Sequence, residues 1–388
     1  MFKRVWDRVV YRDSRFFCAF PSVARMADGG LAVAFRRARD HRWMSGKTLA
    51  PGDPGFDSVD HLDTRSHLCL MRLTADLYPA GEPSVLPADP EAADQDANLT
   101  VMADGRLMMA GFTWYPVPAG RGEELRSLGL ALVGNAEHTG CLFAFWGGYT
   151  RFSRDGRHWT RHRYLPVVPG QVDIVPGLRP YHGGPVRGRA VQGADGTLYQ
   201  AAYMVRASDG RSAALLHVSP DGGETWAFRS IIAVDEDGPG GFVEPSLQWL
   251  PDGRLIAFLR TVGLDDRIAT AVSADGGHTW EPWVLHDVRG HPTDAVPLGD
   301  GRLFVVSGWR HKPYGVRARV WNPAVGGLET AAEVVVRDDS PSPDTGYPWA
   351  EVLPDGRVLV VYYICGGDGV RHVAMTLLEP CGAVAFRD

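Results

Sequence analysis

The chain has 388 residues, with 46 acidic against 40 basic side chains and a formal charge of −6. That mild acidity excludes the basic footprint of a nucleic-acid binder and offers nothing to an anionic membrane surface. Five irregularly spaced cysteines without a CxxC pair exclude a zinc ribbon or a disulfide framework, and no apolar run approaches the ~20 residues of a membrane span.

In chain order, Met1 to Asp13 carries basic residues but no apolar stretch of signal-peptide kind, so a reducing, cytoplasmic setting is the default expectation. Arg4–Tyr11 (RVWDRVVY) reads as a strand, expected to pair with the last repeat and remove a free sheet edge. A phrase then recurs: apolar residues, Asp-Gly-x-Leu or its Val variant, and an alternating apolar run. It stands at Asp28, Asp104, Asp195, Asp252, Asp300 and Asp355. Asp-Gly between alternating runs is a hairpin signal, because both residues tolerate positive φ in a tight turn. A second phrase, Ser-x-Asp-Gly followed by Trp, spans Ser153–Trp159, Ser219–Trp226 and Ser273–Trp280. Its Asp accepts backbone N–H groups, its glycines take left-handed geometry and its Trp packs over the loop. Longer insertions fall at about 40–62, 113–140 and 160–185. With no helical periodicity, six hairpins at this spacing predict an all-β chain: one domain over 1–388, folded as a six-bladed β-propeller with Asp-box turns.

Three Asp-boxes and six such hairpins resemble the sialidase superfamily, whose members are six-bladed propellers. The resemblance implies a Tyr nucleophile helped by a Glu, an Asp acid/base, and three Arg that clamp a substrate carboxylate. Tyr347, in GYPWAEVLPDGRVLVVYY, matches the nucleophile; Glu244, in GGFVEPSLQWLPDGRLIAFLR, matches its partner, with Arg260 as a clamp. Arg317 matches a further clamp position by its separation from Tyr347, with Arg310 as the neighbour that could replace it. The first strand departs from the pattern: Ala19-Phe20-Pro21 stands where the family has Arg-Ile-Pro. Arg39, Arg36 or Arg37 is nearest to compensate for a fork worth ~1–3 kcal/mol. Asp63 is the first choice for acid/base and Asp40 the second, with Asp53, Asp57 and Asp60 in the same insertion.

Pseudo-symmetry points to further residues around a central mouth: His182 with Tyr181, Arg187 and Arg189; His291 and Asp294; Asp94 and Asp96. The leading functional expectation is an exo-acting glycoside hydrolase on a terminal acidic sugar, retaining by resemblance. Its partner is a glycan or small acidic glycoside, and it needs no metal or cofactor. The alternatives are a polysaccharide lyase using His182 and Tyr347 on a uronic acid, and a carbohydrate-binding propeller without catalysis.

Overall fold

Each Asp-Gly turn joins two strands whose side chains are buried on both faces, because every sheet is covered by a neighbouring sheet on either side. In the computed structural model, which describes residues 1–42, 46, 53, 62–90, 92–128, 130–134, 140–170 and 183–381, the strands form six sheets of a propeller. The first strand, β1 (Phe2–Tyr11), is set aside for the end of the ring.

Blade one consists of β2 (Phe16–Arg25), β3 (Leu31–Arg39), β4 (His67–Leu73) and β5 (Ser84–Val85). Blade two has β6 (Ala93–Val101), β7 (Leu107–Pro118), β9 (Cys141–Ser153) and β10 (Arg163–Tyr164), with a short β8 (Leu132–Val133) against β9. Blade three follows with β11 (Val191–Gln192), β12 (Leu198–Val205), β13 (Ser212–Ser219) and β14 (Ala227–Ala233). Blade four has β15 (Gly241–Trp249), β16 (Leu255–Val262), β17 (Arg267–Ser273) and β18 (Val284–Arg289). Blade five has β19 (Thr293–Pro297), β20 (Leu303–Trp309), β21 (Tyr314–Trp321) and β22 (Glu333–Ser340). Blade six takes β23 (Gly346–Val352), β24 (Val358–Cys365) and β25 (Arg371–Pro380) from the end of the chain, and its outer strand is β1, paired antiparallel from Phe2↔Pro380 to Tyr11↔Val373.

The core is accordingly distributed between blades. One cluster interleaves Val23, Val33 and Phe35 of blade one with Trp349, Val361 and Met375 of blade six. Another joins Phe304, Val306 and Val316 of blade five to Val360 and Tyr362 of blade six. The insertion at 113–140 departs from the expected loop. β7 and β9 continue into it as a long ladder up to Pro118↔Cys141, and a one-turn helix, α1 (Gly122–Ser127), sits beyond. Its helix was missed because six residues are too few to show a period.

The Asp-boxes join neighbouring blades. In the third, Asp275 accepts the Thr279 N–H at 2.9 Å and its hydroxyl at 2.6 Å. The indole of Trp280 reaches back to the Ser230 hydroxyl on the preceding blade at 3.0 Å. Gly277 at φ 80° lies so close to that blade that a Cβ would stand 2.2 Å from Leu216 Cδ2. Trp226 makes the equivalent reach to Thr150 at 3.0 Å.

Candidate active site at the centre of the ring

The innermost strand of four blades begins with an interrupted ladder. Register slips occur between Ala19 and Ser22, Gln95 and Asn98, Val243 and Ser246, and Gly346 and Trp349. Within each slip one non-glycine residue takes the left-handed conformation: Phe20 at φ 55°, Asp96 at 56°, Glu244 at 47° and Tyr347 at 48°. Such positions cost of order 1–3 kcal/mol each and persist where the surroundings force them, typically at functional sites. Here the bulge turns one side chain per blade out of the ladder, and interactions among the four show that they converge: Phe20 packs on Tyr347, Tyr347 bonds Glu244, and Asp96 lies within electrostatic reach of both Glu244 and Tyr347.

Tyr347 and Glu244 form the centre. The Tyr347 hydroxyl donates to Glu244 Oε1 at 2.6 Å. Arg260 Nη1 donates to Glu244 Oε2 at 2.7 Å and to the Tyr347 hydroxyl at 3.0 Å. Burial alone would raise the Glu244 carboxyl, but the Arg260 charge and the two hydrogen bonds outweigh it, so Glu244 is held below the ordinary range and is ionised. Burial first, and the Glu244 charge second, push the Tyr347 phenol above its usual value. A neutral phenol thus faces an ionised base, the arrangement that activates a hydroxyl nucleophile during reaction. Arg310 and Arg187 flank the Tyr347 ring, with guanidinium carbons 5.6 and 5.1 Å from its centroid. Phe20 meets it edge-on at 4.6 Å.

Of the carboxylates proposed as acid/base, two are committed elsewhere. Asp63 is fully buried against Arg39, 2.6 Å from its Nη2 and 2.9 Å from its backbone N–H. Burial favours its acid form, yet the Arg39 hydrogen bonds and charge keep it below the ordinary range. Asp40 closes a similar pair with Arg42 at 2.6 Å. Neither is free to exchange a proton without breaking an ion pair. Asp96 is the contrast. No side-chain hydrogen bond holds it among the described residues, and burial, opposed by Arg187 and reinforced by Glu244, raises it to about 7. It therefore carries a transferable proton near neutrality.

The arginines also divide. Arg260 and Arg310 reach the centre; Arg317 does not. It lies on β21 and donates to the carbonyls of Val316 (3.2 Å), Pro313 (3.3 Å) and Arg337. Separation from Tyr347 misassigned it because the β20–β21 turn sets Arg310, not Arg317, toward the axis. Arg39 is taken by Asp63. Arg36 is fully buried beneath Phe20, 4.8 Å from its ring, with Nη1 bonded to Gln95 at 2.5 Å and within electrostatic reach of Asp96. Arg187 and Arg189 are struts. Arg187 bonds the carbonyls of Tyr347 (3.0 Å) and Pro21 (3.3 Å), and Arg189 pairs with Asp294 at 2.9 Å. Asp94 accepts the Tyr149 hydroxyl at 2.7 Å inside blade two. Asp53 is exposed. His182, Tyr181, Asp57 and Asp60 lie outside the described residues.

The sequence placed both Asp94 and Asp96 at the mouth, and a signal that separates them was present in the repeat itself. Phe20, Asp96, Arg187, Glu244 and Tyr347 each stand eight residues before the Asp of their Asp-Gly turn, at Asp28, Asp104, Asp195, Asp252 and Asp355. In blade five that position is Pro292, with His291 beside it.

The BNR repeat-like domain family matches residues 127–360. Among solved structures, a protein of unknown function from Dyadobacter fermentans is 33% identical, covering 97% of this chain and 99% of that one with a TM-score of 0.85. The NanB sialidase of Streptococcus pneumoniae is 13% identical, over 95% of this chain and 70% of that one, with a TM-score of 0.62. The Penicillium chrysogenum alpha-L-arabinanase, complexed with arabinobiose, is 12% identical over 97% and 98%, with a TM-score of 0.59. No curated protein matches the chain.

Proposed function

The chain belongs to the BNR repeat-like family, and on that footing we propose that it is an exo-acting, retaining glycoside hydrolase of sialidase-like type that removes a terminal acidic sugar. The observation that carries this reading is the 2.6 Å hydrogen bond from the Tyr347 hydroxyl to Glu244, with Arg260 bonded to both. A buried Tyr–carboxylate pair at the axis of such a propeller has the parts of an activated nucleophile.

The steps balance as follows. Glu244 takes the phenolic proton as the Tyr347 oxygen attacks the anomeric carbon. The bond to the leaving-group oxygen breaks, and Asp96 gives that oxygen its proton. In the second half Asp96, now a carboxylate, takes a proton from water. The water oxygen bonds to the anomeric carbon, the sugar–tyrosine bond breaks, and Glu244 returns the proton to the phenol. Arg260 keeps Glu244 ionised, and Arg310 supplies positive charge beside the ring for the anionic group of the sugar. A neutral phenol approaches an anionic sugar with less repulsion than a carboxylate nucleophile does.

The test is a panel of 4-methylumbelliferyl glycosides of acidic and neutral sugars, combined with fluorinated glycosyl fluorides as traps. The expected result is turnover of an acidic glycoside and a sugar mass on the peptide that contains Tyr347. An unsaturated product absorbing in the ultraviolet would instead assign a lyase. Glycan binding with no turnover of any glycoside would assign a binding propeller.

A further inference from the structure

Blades four and five together present a group of buried nitrogen atoms to which the steps above give no hydrogen-bond partner. His291 stands at the upstream end of the innermost strand of blade five and is only 6% exposed. Neither of its ring nitrogens has a hydrogen-bond partner among the described residues. Trp309 Nε1, Arg310 Nε and Arg260 Nε are likewise buried and unpartnered. Asp266 leans in from blade four, with Oδ2 3.2 Å from His311 Nε2 and Oδ1 3.7 Å from His291 Nδ1, the latter too far for a hydrogen bond. His291 lies within electrostatic reach of Arg260 and Arg310, which places it beside the reacting centre.

The chemistry of this group is asymmetric. Arg260, Arg310 and Trp309 only donate. Burial first, then the charges of Arg260 and Arg310, push His291 down to about 2, so its imidazole is neutral and keeps an acceptor lone pair. A ligand that satisfies this wall therefore offers an anion to the guanidinium and a hydroxyl that donates to the imidazole. Phe20 adds a restriction from the opposite side. It occupies the blade-one position of the ring, packed on Tyr347, with Arg36 buried behind it.

Resting on the glycosidase reading above, we propose that the terminal sugar is a hexuronic acid, with its carboxylate received by Arg310 and its neighbouring hydroxyl read by His291, the specificity-determining residue. In a hexuronic acid the carbon beside the carboxylate-bearing carbon carries a hydroxyl. In a sialic acid one ring neighbour of the carboxylate-bearing carbon is a methylene and the other is the ring oxygen, so neither donates to His291. A buried acceptor left without its donor penalises the analogue that lacks the hydroxyl.

The test is binding of free sugars, which needs no turnover and is done in the Tyr347→Phe protein as well as the unmodified one. D-glucuronate, D-galacturonate, N-acetylneuraminate and D-glucose are titrated by calorimetry. At least one hexuronate is expected to bind about tenfold or more tightly than N-acetylneuraminate and D-glucose. His291→Ala should erase its advantage over N-acetylneuraminate, whereas Arg310→Ala should weaken all carboxylates together. His291→Asn, which keeps a polar side chain, serves where the alanine variant fails to fold and is expected to narrow the preference. Equal or tighter binding of N-acetylneuraminate, equal losses for both acids on replacing His291, or no saturable hexuronate binding at millimolar concentration each overturns the proposal. Failure of the hydrolase reading shows separately, as hexuronate binding without turnover or a tyrosine adduct.

Discussion

At the scale of single residues, two carboxyl groups near the axis are pushed in opposite directions by their surroundings. Glu244 is held low by Arg260, while Asp96 is raised by burial from 3.8 to about 7. A base that is always ionised and an acid that still holds its proton near neutrality can coexist only if their environments differ in this way. On the proposed mechanism, activity is therefore expected to fall as pH rises through about 7, because Asp96 loses the proton that mechanism has it donate. Asp96→Asn should lower kcat/KM by roughly 10²–10⁴-fold and remove that alkaline limb, as a pH–rate profile would read. The same group shapes stability. Below the unfolded value both states are protonated and Asp96 costs nothing; the cost grows as pH rises toward about 7 and is complete above it. Asp96→Asn should thus be more stable than the parent at pH 8 by up to about 4 kcal/mol and nearly equal to it at pH 3.5, as measured by denaturant titration. Tyr347→Phe keeps the ring packing on Phe20 but loses the hydroxyl proposed as nucleophile. It should reduce turnover roughly 10³-fold or more with little change in melting temperature.

At the scale of elements, the Asp-box is a joint between blades as much as a turn. Trp280 and Gly277 both touch the preceding blade. Gly277→Ala forces a Cβ onto Leu216 at a left-handed position and should cost roughly 2–4 kcal/mol, seen as a lower melting temperature without a change in the site. The hairpins were legible in the sequence because Asp-Gly turns and period-two alternation are local properties, and the partner of Arg4–Tyr11 followed from the need to cover an edge. That Tyr347, Glu244 and Arg260 meet was legible because Tyr347 and Glu244 hold the same place before an Asp-Gly turn and Arg260 lies on the strand paired with that of Glu244. Arg317 and Arg310 were harder to separate, because seven residues of chain distance do not reveal which side of a turn faces the axis. Asp63 read as reactive because its sequence shows a polar loop; only the fold shows Arg39 closing on it. The same reasoning applies to Asp40 and Arg42.

At the scale of the molecule, the ring is held shut by β1. Removing Phe2–Tyr11 would leave β25 with an open edge and expose the blade-six cluster around Met375 and Leu377. Such a truncated chain should lose cooperative unfolding and associate, which size-exclusion chromatography would detect. The pairing also has a consequence in time. Tyr11 leaves the ribosome some 360 residues before its partner Val373, which at 5–20 residues per second is a wait of roughly 20–70 s. For that interval the strand that completes the ring is an unpaired ribbon on a growing chain. Lys3, Arg4 and Asp7, which stay exposed after closure, are the charges that keep it from joining another chain first.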